Sequence, residues 1–284
     1  MRSMRFIGLV RALGGLAALC VLGACGGGIF DLPTGLTVTE ITSTSALAYS
    51  TSATVRIRGT DLDQGIRVSA PGCAPLTEVE GGTAFERSYR CTVKVLGPLT
   101  VSVIDKTGAT LRSSAFQVPA PQVTVATSLG RFVIELNPEL APLSADNFLK
   151  YTSTGFYSNL IFHRVIAGFV VQAGGYASGL ALVPPTFEAI KLESQNGLNH
   201  VAASVAMART SEPDSASSQF FINLVENASL NYKDASSPGY AVFGKVVSGF
   251  DVVGLIGATP TTTVQGLADV PASDVVILSA TQTQ

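Results

Sequence analysis

Short segments in which apolar and polar residues alternate recur through most of the chain, separated by turn-forming residues. In "ATVRIRGTDL", Val55 and Ile57 alternate with arginines before a Gly-Thr-Asp turn. The same period of two places Leu99, Val101 and Val103 on one face of "PLTVSVIDKTG". Because successive side chains of a strand point to opposite faces, the pattern predicts a chain made mainly of half-buried strands.

The first group of strands is short and evenly spaced, with turn residues between the strands. In "YRCTVKVLG", for example, every second residue from Tyr89 to Val95 would share one face. Short, evenly spaced strands of this kind are typical of a small immunoglobulin-like β-sandwich, which we predict for residues 36–120. No cluster of catalytic residue types lies there, which favours a spacer or binding module. "VPAPQ" predicts a stiff junction into a second domain, residues 121–284.

The second domain combines strands with two helical segments. "GRFVIELNPELAP" alternates Phe132, Ile134 and Leu136 with other residues before an Asn-Pro turn. "LSADNFLKYTSTGFY" predicts a helix that Ser144 caps and Gly155 ends. Many strands with only two helices predict a closed barrel capped by helices.

Composition limits the possible functions. The 284 residues carry a formal net charge of −2 and no long run of either sign. The basic surface expected of a nucleic-acid-binding protein is therefore missing, and we predict no nucleic-acid partner. We also predict no metal and no cofactor.

The N-terminal residues read as an export signal. Arg2, Arg5 and Arg11 precede the apolar run "ALGGLAALCVLGA". At about 13 residues the run is shorter than the roughly 20 needed to span a bilayer. The run leads into "LGAC", which resembles the lipobox of bacterial lipoproteins and implies acylation of Cys25. A plain secretory signal with an incidental cysteine is the alternative.

This interpretation divides the N-terminus into a signal peptide, residues 1–24, and a glycine-rich tether, residues 25–35. Two or three acyl chains on Cys25 would anchor the protein firmly to a membrane. Gly rather than Asp follows this cysteine, which in such lipoproteins suggests the outer membrane. The expected location is the bacterial cell envelope, on the outer membrane and facing the periplasm.

Two cysteines remain in the exported part, Cys73 and Cys91. An oxidising compartment favours a disulfide between them. The closed loop of about 18 residues would contribute on the order of 3 kcal/mol in the chain-entropy model. Use of the pair as metal ligands is the alternative, but both histidines are far away in sequence.

Three segments follow one another in the second domain: "FHRVIAGFVVQAGG", "MARTSEPDSASSQFFIN" and "GYAVFGKVV". Together they resemble the cyclophilin family of peptidyl-prolyl cis-trans isomerases, most closely its bacterial periplasmic branch. The resemblance runs from about residue 123 to the C-terminus. It implies an eight-stranded β-barrel closed by two helices, and proline-containing polypeptides as partners.

The resemblance also implies the roles of individual residues. Arg164 matches the family's catalytic arginine, and Gln172 matches the glutamine that helps to hold this arginine and the substrate. The positions matching substrate-binding residues are Phe169, Val170, Ala208, Arg209, Gln219, Phe221, Leu230 and Tyr240. Ala208 and Arg209 would act through their main chain. Ser229 departs from the family, since many members have an aromatic residue there.

The chemistry of prolyl isomerisation fits such a site. An X-Pro amide rotates over a barrier of roughly 18–20 kcal/mol without any bond being made or broken. The catalyst needs a pocket for the ring and a donor that favours the twisted amide, which the Arg164 guanidinium would supply. The neighbouring His163 is then expected to be structural. A hydrolase is disfavoured because "SASSQ" lacks the G-x-S-x-G elbow.

Two functions of different class follow. In the first, the chain is an isomerase that accelerates folding of exported proteins. In the second, it is a catalytically weak module that binds proline-containing peptides or acts as a chaperone at the envelope. Arg164 and Gln172 favour the first hypothesis, and Ser229 favours the second.

Overall fold

The computed structural model describes residues 35–284. The predicted signal peptide (1–24), the predicted acylation site Cys25 and the tether up to residue 34 lie outside the described residues. Within residues 35–284, no helix has both the length and the apolar character needed to cross a bilayer.

Between residues 35 and 118, seven strands form two antiparallel sheets. They are β1 (Thr37–Ser43), β2 (Ser52–Thr60), β3 (Arg67–Ser69), β4 (Cys73–Glu78), β5 (Glu86–Val93), β6 (Gly97–Ile104) and β7 (Thr110–Val118). One sheet has the order β1-β2-β5-β4 and the other β3-β6-β7. The two antiparallel sheets that the sequence predicted are present, and their strand order is the one found in constant-type immunoglobulin sandwiches. That this region is an immunoglobulin-like module stays a prediction.

The core of the sandwich consists of the apolar residues that alternate with polar ones in the sequence. Val55, Ile57, Leu99, Val101 and Val103 are all fully buried. Their alternate neighbours on the same strands are more exposed. The period-two pattern therefore sets which face of each strand points inward.

The predicted disulfide between Cys73 and Cys91 is present, with the two Cα atoms 5.0 Å apart. It joins β4, at the edge of the four-stranded sheet, to its neighbour β5. Antibody domains instead bridge their two sheets. In this chain the bond fastens an edge strand that otherwise has one hydrogen-bonded neighbour.

The barrel uses the strands that follow. They are β8 (Gln122–Thr127), β9 (Gly130–Leu136), β10 (Leu160–Ile166), β11 (Val170–Ala177), β12 (Ala181–Leu182), β13 (Ser204–Met207), β14 (Phe220–Asn223), β15 (Val242–Ser248), β16 (Thr261–Val264), β17 (Leu267–Pro271) and β18 (Ile277–Gln282). Eight of them have the order β10-β11-β14-β13-β15-β9-β8-β18, β12 pairs with β11, and β16 and β17 form a separate hairpin.

The two ends of this eight-stranded sheet meet. Ile161 on β10 forms a bridge with Val276, just before β18. The backbone N–H of Asn159 donates to Ile277 O at 2.8 Å, and that of Phe162 donates to Val275 O at 2.9 Å. The barrel is therefore nearly closed, and the predicted eight-stranded architecture is confirmed.

Two helices accompany the barrel, α1 (Pro142–Ser153) and α2 (Phe250–Gly257). α1 buries Phe148, Leu149 and Tyr151. Gly155 follows its end with φ +70°, a left-handed conformation that suits glycine at a helix C-terminus. The predicted end of this helix is therefore confirmed.

The predicted helix cap at Ser144 is wrong, because α1 begins two residues earlier, at Pro142, and its N-cap is Ala141. The free N–H groups of its first turn are satisfied from a distant loop. The Glu193 carboxylate accepts from the N–H of Leu143 at 2.9 Å and from that of Ser144 at 2.8 Å. A proline at the first helical position and a carboxylate near the N-terminus both favour this start.

Polar contacts join the sandwich to the barrel near α1. Lys94 Nζ lies 2.8 Å from Asp146 Oδ2 and donates to Ser50 Oγ at 3.0 Å. Gln282 Nε2 donates to Tyr49 O at 2.9 Å. Burial and then the nearby Asp146 carboxylate raise the pKa of Tyr49 to about 12. The linker of three residues between β7 and β8 is thus supplemented by side-chain contacts.

The disulfide can be tested by replacing both cysteines with alanine, Cys73→Ala/Cys91→Ala. We expect the free energy of unfolding to fall by about 3 kcal/mol, because the cross-link restricts the unfolded chain. Chemical denaturation measures the loss. A reductant should destabilise the wild type similarly and leave the variant unchanged. Equal midpoints for the two oxidised proteins would contradict the prediction.

Candidate active site

The register of five neighbouring strands aligns five positions across the outside of the barrel. Arg164 on β10 is the Cα partner of Gln172 on β11, which in turn partners Phe221 on β14. The same row continues through Ala206 on β13 to Val242 on β15. Directly paired residues share a face of a sheet, so these side chains lie on one surface.

Alternation along each strand separates this surface from the barrel core. Val165, Val171 and Phe220 point inward and belong to the main hydrophobic core. Phe221 and Val170 belong to a smaller, separate cluster. The adjacent phenylalanines of β14 therefore serve different purposes, one filling the barrel and the other forming a pocket floor.

A cavity of about 250 Å³ lies over this second cluster. Its lining residues are Arg164, Phe169, Val170, Gln172, Ala208, Arg209, Phe221, Leu230 and Tyr240. Nine of the ten residues predicted to act in catalysis and substrate binding are thus brought together. The tenth, Gln219, lies beside them and is not part of the lining.

Gln219 is linked to the pocket by a hydrogen bond from Gln172, whose Nε2 donates to Gln219 Oε1 at 2.9 Å. One of the two amide N–H groups of Gln172 is thus directed to Gln219. The Gly174-Gly175 pair, inside β11, allows this approach. A Cβ at Gly175 would lie 2.5 Å from Gln219 Nε2, and one at Gly174 would lie 2.5 Å from Ser218 O.

A buried polar network supports the pocket from behind. Asn227 Nδ2 donates to Phe169 O at 3.0 Å and to Asn223 Oδ1 at 2.8 Å. His200 Nε2 lies 3.2 Å from Tyr240 O, and Asn223 Nδ2 lies 3.1 Å from His200 Nδ1. Because a carbonyl oxygen only accepts, Nε2 of His200 carries the proton and Nδ1 accepts.

The His200 ring also stacks on Phe221, with centroids 5.6 Å apart and an interplanar angle of 9°. Burial lowers its pKa, which favours the neutral ring. Sequence reasoning did not identify this network. The one available signal was an asparagine, Asn223, within the apolar segment "FFINL", since buried polar groups require partners.

At the rim, the guanidinium of Arg209 lies over the Tyr240 ring, with Cζ 4.7 Å from the ring centroid. Its Nε donates to Gly239 O at 3.0 Å, and Nη1 donates to Thr210 O at 2.8 Å and to Ser211 O at 3.3 Å. The side chain is therefore held in place by three carbonyls and an aromatic face. The prediction for Arg209 concerned only its main chain.

Sequence reasoning also missed Asp269, on β17. Its Oδ2 lies 3.9 Å from Arg164 Nε, and the two side chains are 40% and 43% exposed. The next residue, Val270, is buried in a small cluster with Ile161, on the same strand as Arg164. This packing positions the hairpin beside the guanidinium. No local signal in "LADVP" indicates the contact.

His163 was expected to be structural, and Ser229 was noted as a departure from the family. Burial lowers the pKa of His163 to about 4, so its ring is neutral near pH 7. The ring packs against Tyr176 at 4.6 Å, and its Nδ1 has no hydrogen-bond partner among residues 35–284. Ser229 is exposed and does not line the cavity.

No group of three or more His, Cys, Asp or Glu side chains in the described part of the chain could hold a metal ion. A larger cavity, of about 510 Å³, is lined partly by Leu96 and Ala120 of the sandwich and linker and by Leu136 of the barrel. It contains none of the predicted site residues.

The strands and pocket residues described above lie within a region that matches a known protein family. The family model described as cyclophilin type peptidyl-prolyl cis-trans isomerase matches residues 122–282, more than half of the chain. The chain therefore belongs to the cyclophilin-type peptidyl-prolyl cis-trans isomerase family.

Individual relatives agree with this assignment. Peptidyl-prolyl cis-trans isomerase A of Dickeya dadantii is 42% identical over 186 residues, 64% of this chain and 95% of the relative. Peptidyl-prolyl cis-trans isomerase B of Escherichia coli is 46% identical over 161 residues, 56% of this chain and 98% of the relative. A crystal structure of a Cryptosporidium parvum cyclophilin in the presence of the dipeptide Ala-Pro has a TM-score of 0.50 and 25% identity. It covers 57% of this chain and 99% of its own.

The contact of Asp269 with Arg164 can be tested by Asp269→Asn. We expect kcat/KM for an Ala-Pro peptide to fall about two- to fivefold, the size expected for one exposed ion pair. The fall should lie mainly in kcat if the carboxylate acts by orienting the guanidinium. Asp274→Asn is the matched control, since Asp274 is exposed and bonds to Ser178 instead. An equal fall in both variants would contradict the assignment.

Proposed function

We propose that this chain catalyses cis-trans isomerisation of X-Pro bonds in polypeptides, with Arg164 as the catalytic residue. The observation that carries the proposal is the position of Arg164. It lies opposite Gln172 at the edge of an apolar pocket whose walls include Phe169, Phe221 and Leu230. Family membership and the named activity of the bacterial relatives support it.

The pocket suits a proline ring because its walls are apolar. Phe169, Val170, Phe221 and Leu230 would bury the ring while the rest of the peptide stays at the surface. Holding the ring fixes one end of the X-Pro bond. Rotation then occurs at the carbonyl side, in front of the polar edge of the pocket.

Arg164 would act on the amide as it twists. Rotation breaks conjugation, the nitrogen becomes pyramidal, and its lone pair can accept a hydrogen bond from the guanidinium. This interaction is stronger in the twisted state than in either planar state, and only such a difference lowers the barrier. Asp269 near Nε would orient the guanidinium, leaving its terminal nitrogens for the substrate.

Main-chain groups near Ala208 would align the substrate. The N–H of Ala208 donates to Gln219 O at 2.9 Å. Pairing with a substrate backbone therefore falls to the Ala208 carbonyl and to the main chain of Arg209. Two backbone contacts of this kind would hold the peptide in register with Arg164.

One observation favours a second function, a proline-peptide binding or chaperone module with little turnover. Position 229 is a serine, which has no aromatic ring, and its side chain is exposed and does not line the cavity. The pocket rim therefore lacks an aromatic wall at this position. A weaker grip on the substrate would reduce rate more than it reduces binding, if contacts made only in the twisted state are lost.

The isomerase proposal is tested with Arg164→Ala, using an Ala-Pro peptide in a protease-coupled or NMR exchange assay. We expect kcat/KM to fall about 100-fold or more, as on removing one electrostatic donor from other active sites. Arg164→Lys keeps the charge without the planar fork and should give an intermediate loss.

The same assay separates the two functions. If wild type and Arg164→Ala are both no faster than the uncatalysed reaction, the isomerase proposal fails. Binding of the peptide by wild type under those conditions, seen by NMR titration, would then support the second function.

We further propose that the substrates are exported proteins and that Cys25 anchors the chain by acylation to the outer membrane. Support comes from Arg2, Arg5 and Arg11, from the apolar run and from "LGAC". The pairing of Cys73 with Cys91 agrees with an oxidising compartment.

Mass spectrometry of the mature N-terminus from a bacterial host tests the anchor. We expect a chain that begins at Cys25 and carries acyl groups, and we expect Cys25→Ala to abolish both the modification and membrane association. The control is Cys20→Ala, a cysteine within the predicted signal, which should leave both unchanged. An unmodified Cys25, or cleavage elsewhere, would contradict the proposal.

A further inference from the structure

The two arginines that line the pocket differ in whether a carboxylate lies close to them. Arg164 and Arg209 both line the cavity, and no carboxylate lines it. Arg164 has Asp269 Oδ2 at 3.9 Å. Among the residues that the structure describes, no carboxylate oxygen lies within 4.0 Å of a guanidinium nitrogen of Arg209. The positive charge of Arg209 is therefore not paired with a nearby negative charge.

The Arg209 guanidinium is also fixed in space. It lies over the Tyr240 ring and donates to the carbonyls of Gly239, Thr210 and Ser211. These partners are neutral, so they hold the group without cancelling its charge. Because the side chain is already ordered, little conformational entropy is lost when a ligand binds to it.

The cavity size decides which part of a substrate this charge would meet. At about 250 Å³ the cavity is smaller than typical ligand sites, which are about 300–1,000 Å³. It suits one proline ring, and the residues on either side of the proline must lie at the rim. Arg209 and Tyr240 form part of that rim.

We infer that the Arg209 side chain is a specificity determinant that favours X-Pro segments with an aspartate or glutamate adjacent to the proline. This inference rests on the proposed isomerase function of the same pocket. An acidic side chain at the rim would reach the guanidinium, whereas a lysine there would be repelled. The substrate class is thus acidic proline-containing segments.

The test compares two peptide series, Ala-Xaa-Pro-Phe and Ala-Ala-Pro-Xaa, with glutamate, glutamine or lysine as Xaa. In at least one series we expect kcat/KM for glutamate to exceed that for glutamine about three- to fivefold, the upper range for a partly exposed ion pair. Lysine should rank below glutamine. The preference should disappear at about 1 M salt, where the Debye length is about 3 Å.

Variants then assign the preference to Arg209. Arg209→Gln should reduce the glutamate-to-glutamine ratio to about one, and Arg209→Lys should retain part of it, because the charge remains. The ratio is taken within each variant, so a general loss of activity does not affect it. A residue that only shapes the pocket would lower all rates equally and leave the ratio unchanged, which would overturn the inference.

The outcomes also separate this inference from the proposed function. If wild type isomerises the glutamine peptides but shows no preference for glutamate in either series, the inference fails and the function stands. If wild type accelerates no peptide, the function fails. NMR titration of the same peptides then decides the inference, since tighter binding of glutamate than of glutamine supports it and equal binding overturns it.

Discussion

The alignment of neighbouring strands around the barrel is the constraint on which the site depends. One residue from each of five strands faces outward at the same level, from Arg164 to Val242. A slip of one residue would turn Phe221 inward and bring Phe220 to the surface. Burial of Phe220 and Val171 in the barrel core resists such a slip. The apolar core therefore fixes the position of the polar residues outside it.

Buried hydrogen bonds also hold the backbone of the pocket walls in place. Asn227 holds the backbone at Phe169, and His200 holds the backbone at Tyr240 while stacking on Phe221. These buried groups all have partners, as low-dielectric surroundings require. Walls held in this way need little rearrangement when a substrate binds, which suits a reaction that depends on positioning and on one oriented charge.

Sequence patterns predicted different parts of this structure with different success. Alternation identified the strands and their buried faces, and the family resemblance identified the residues that line the pocket. Alternation alone could not say which of Phe220 and Phe221 faces the core, because that depends on register. The predicted cap at Ser144 was wrong because the carboxylate of Glu193, from a loop far along the chain, satisfies the helix start. Asp269 was missed because it also meets its partner, Arg164, from a segment far along the chain.

Strand periodicity, the turns at glycine and proline, the single pair of cysteines beyond residue 25 and the order of the three motifs can all be recognised along the chain without the fold. Contacts between segments that are far apart in sequence exist only in the folded protein. Within residues 35–284, the fold places the Asp269 carboxylate near Arg164 and no carboxylate within 4.0 Å of Arg209, and it holds Arg209 over Tyr240. Local preferences act over a few residues, whereas these contacts exist only after the barrel has closed, so no short sequence window contains them.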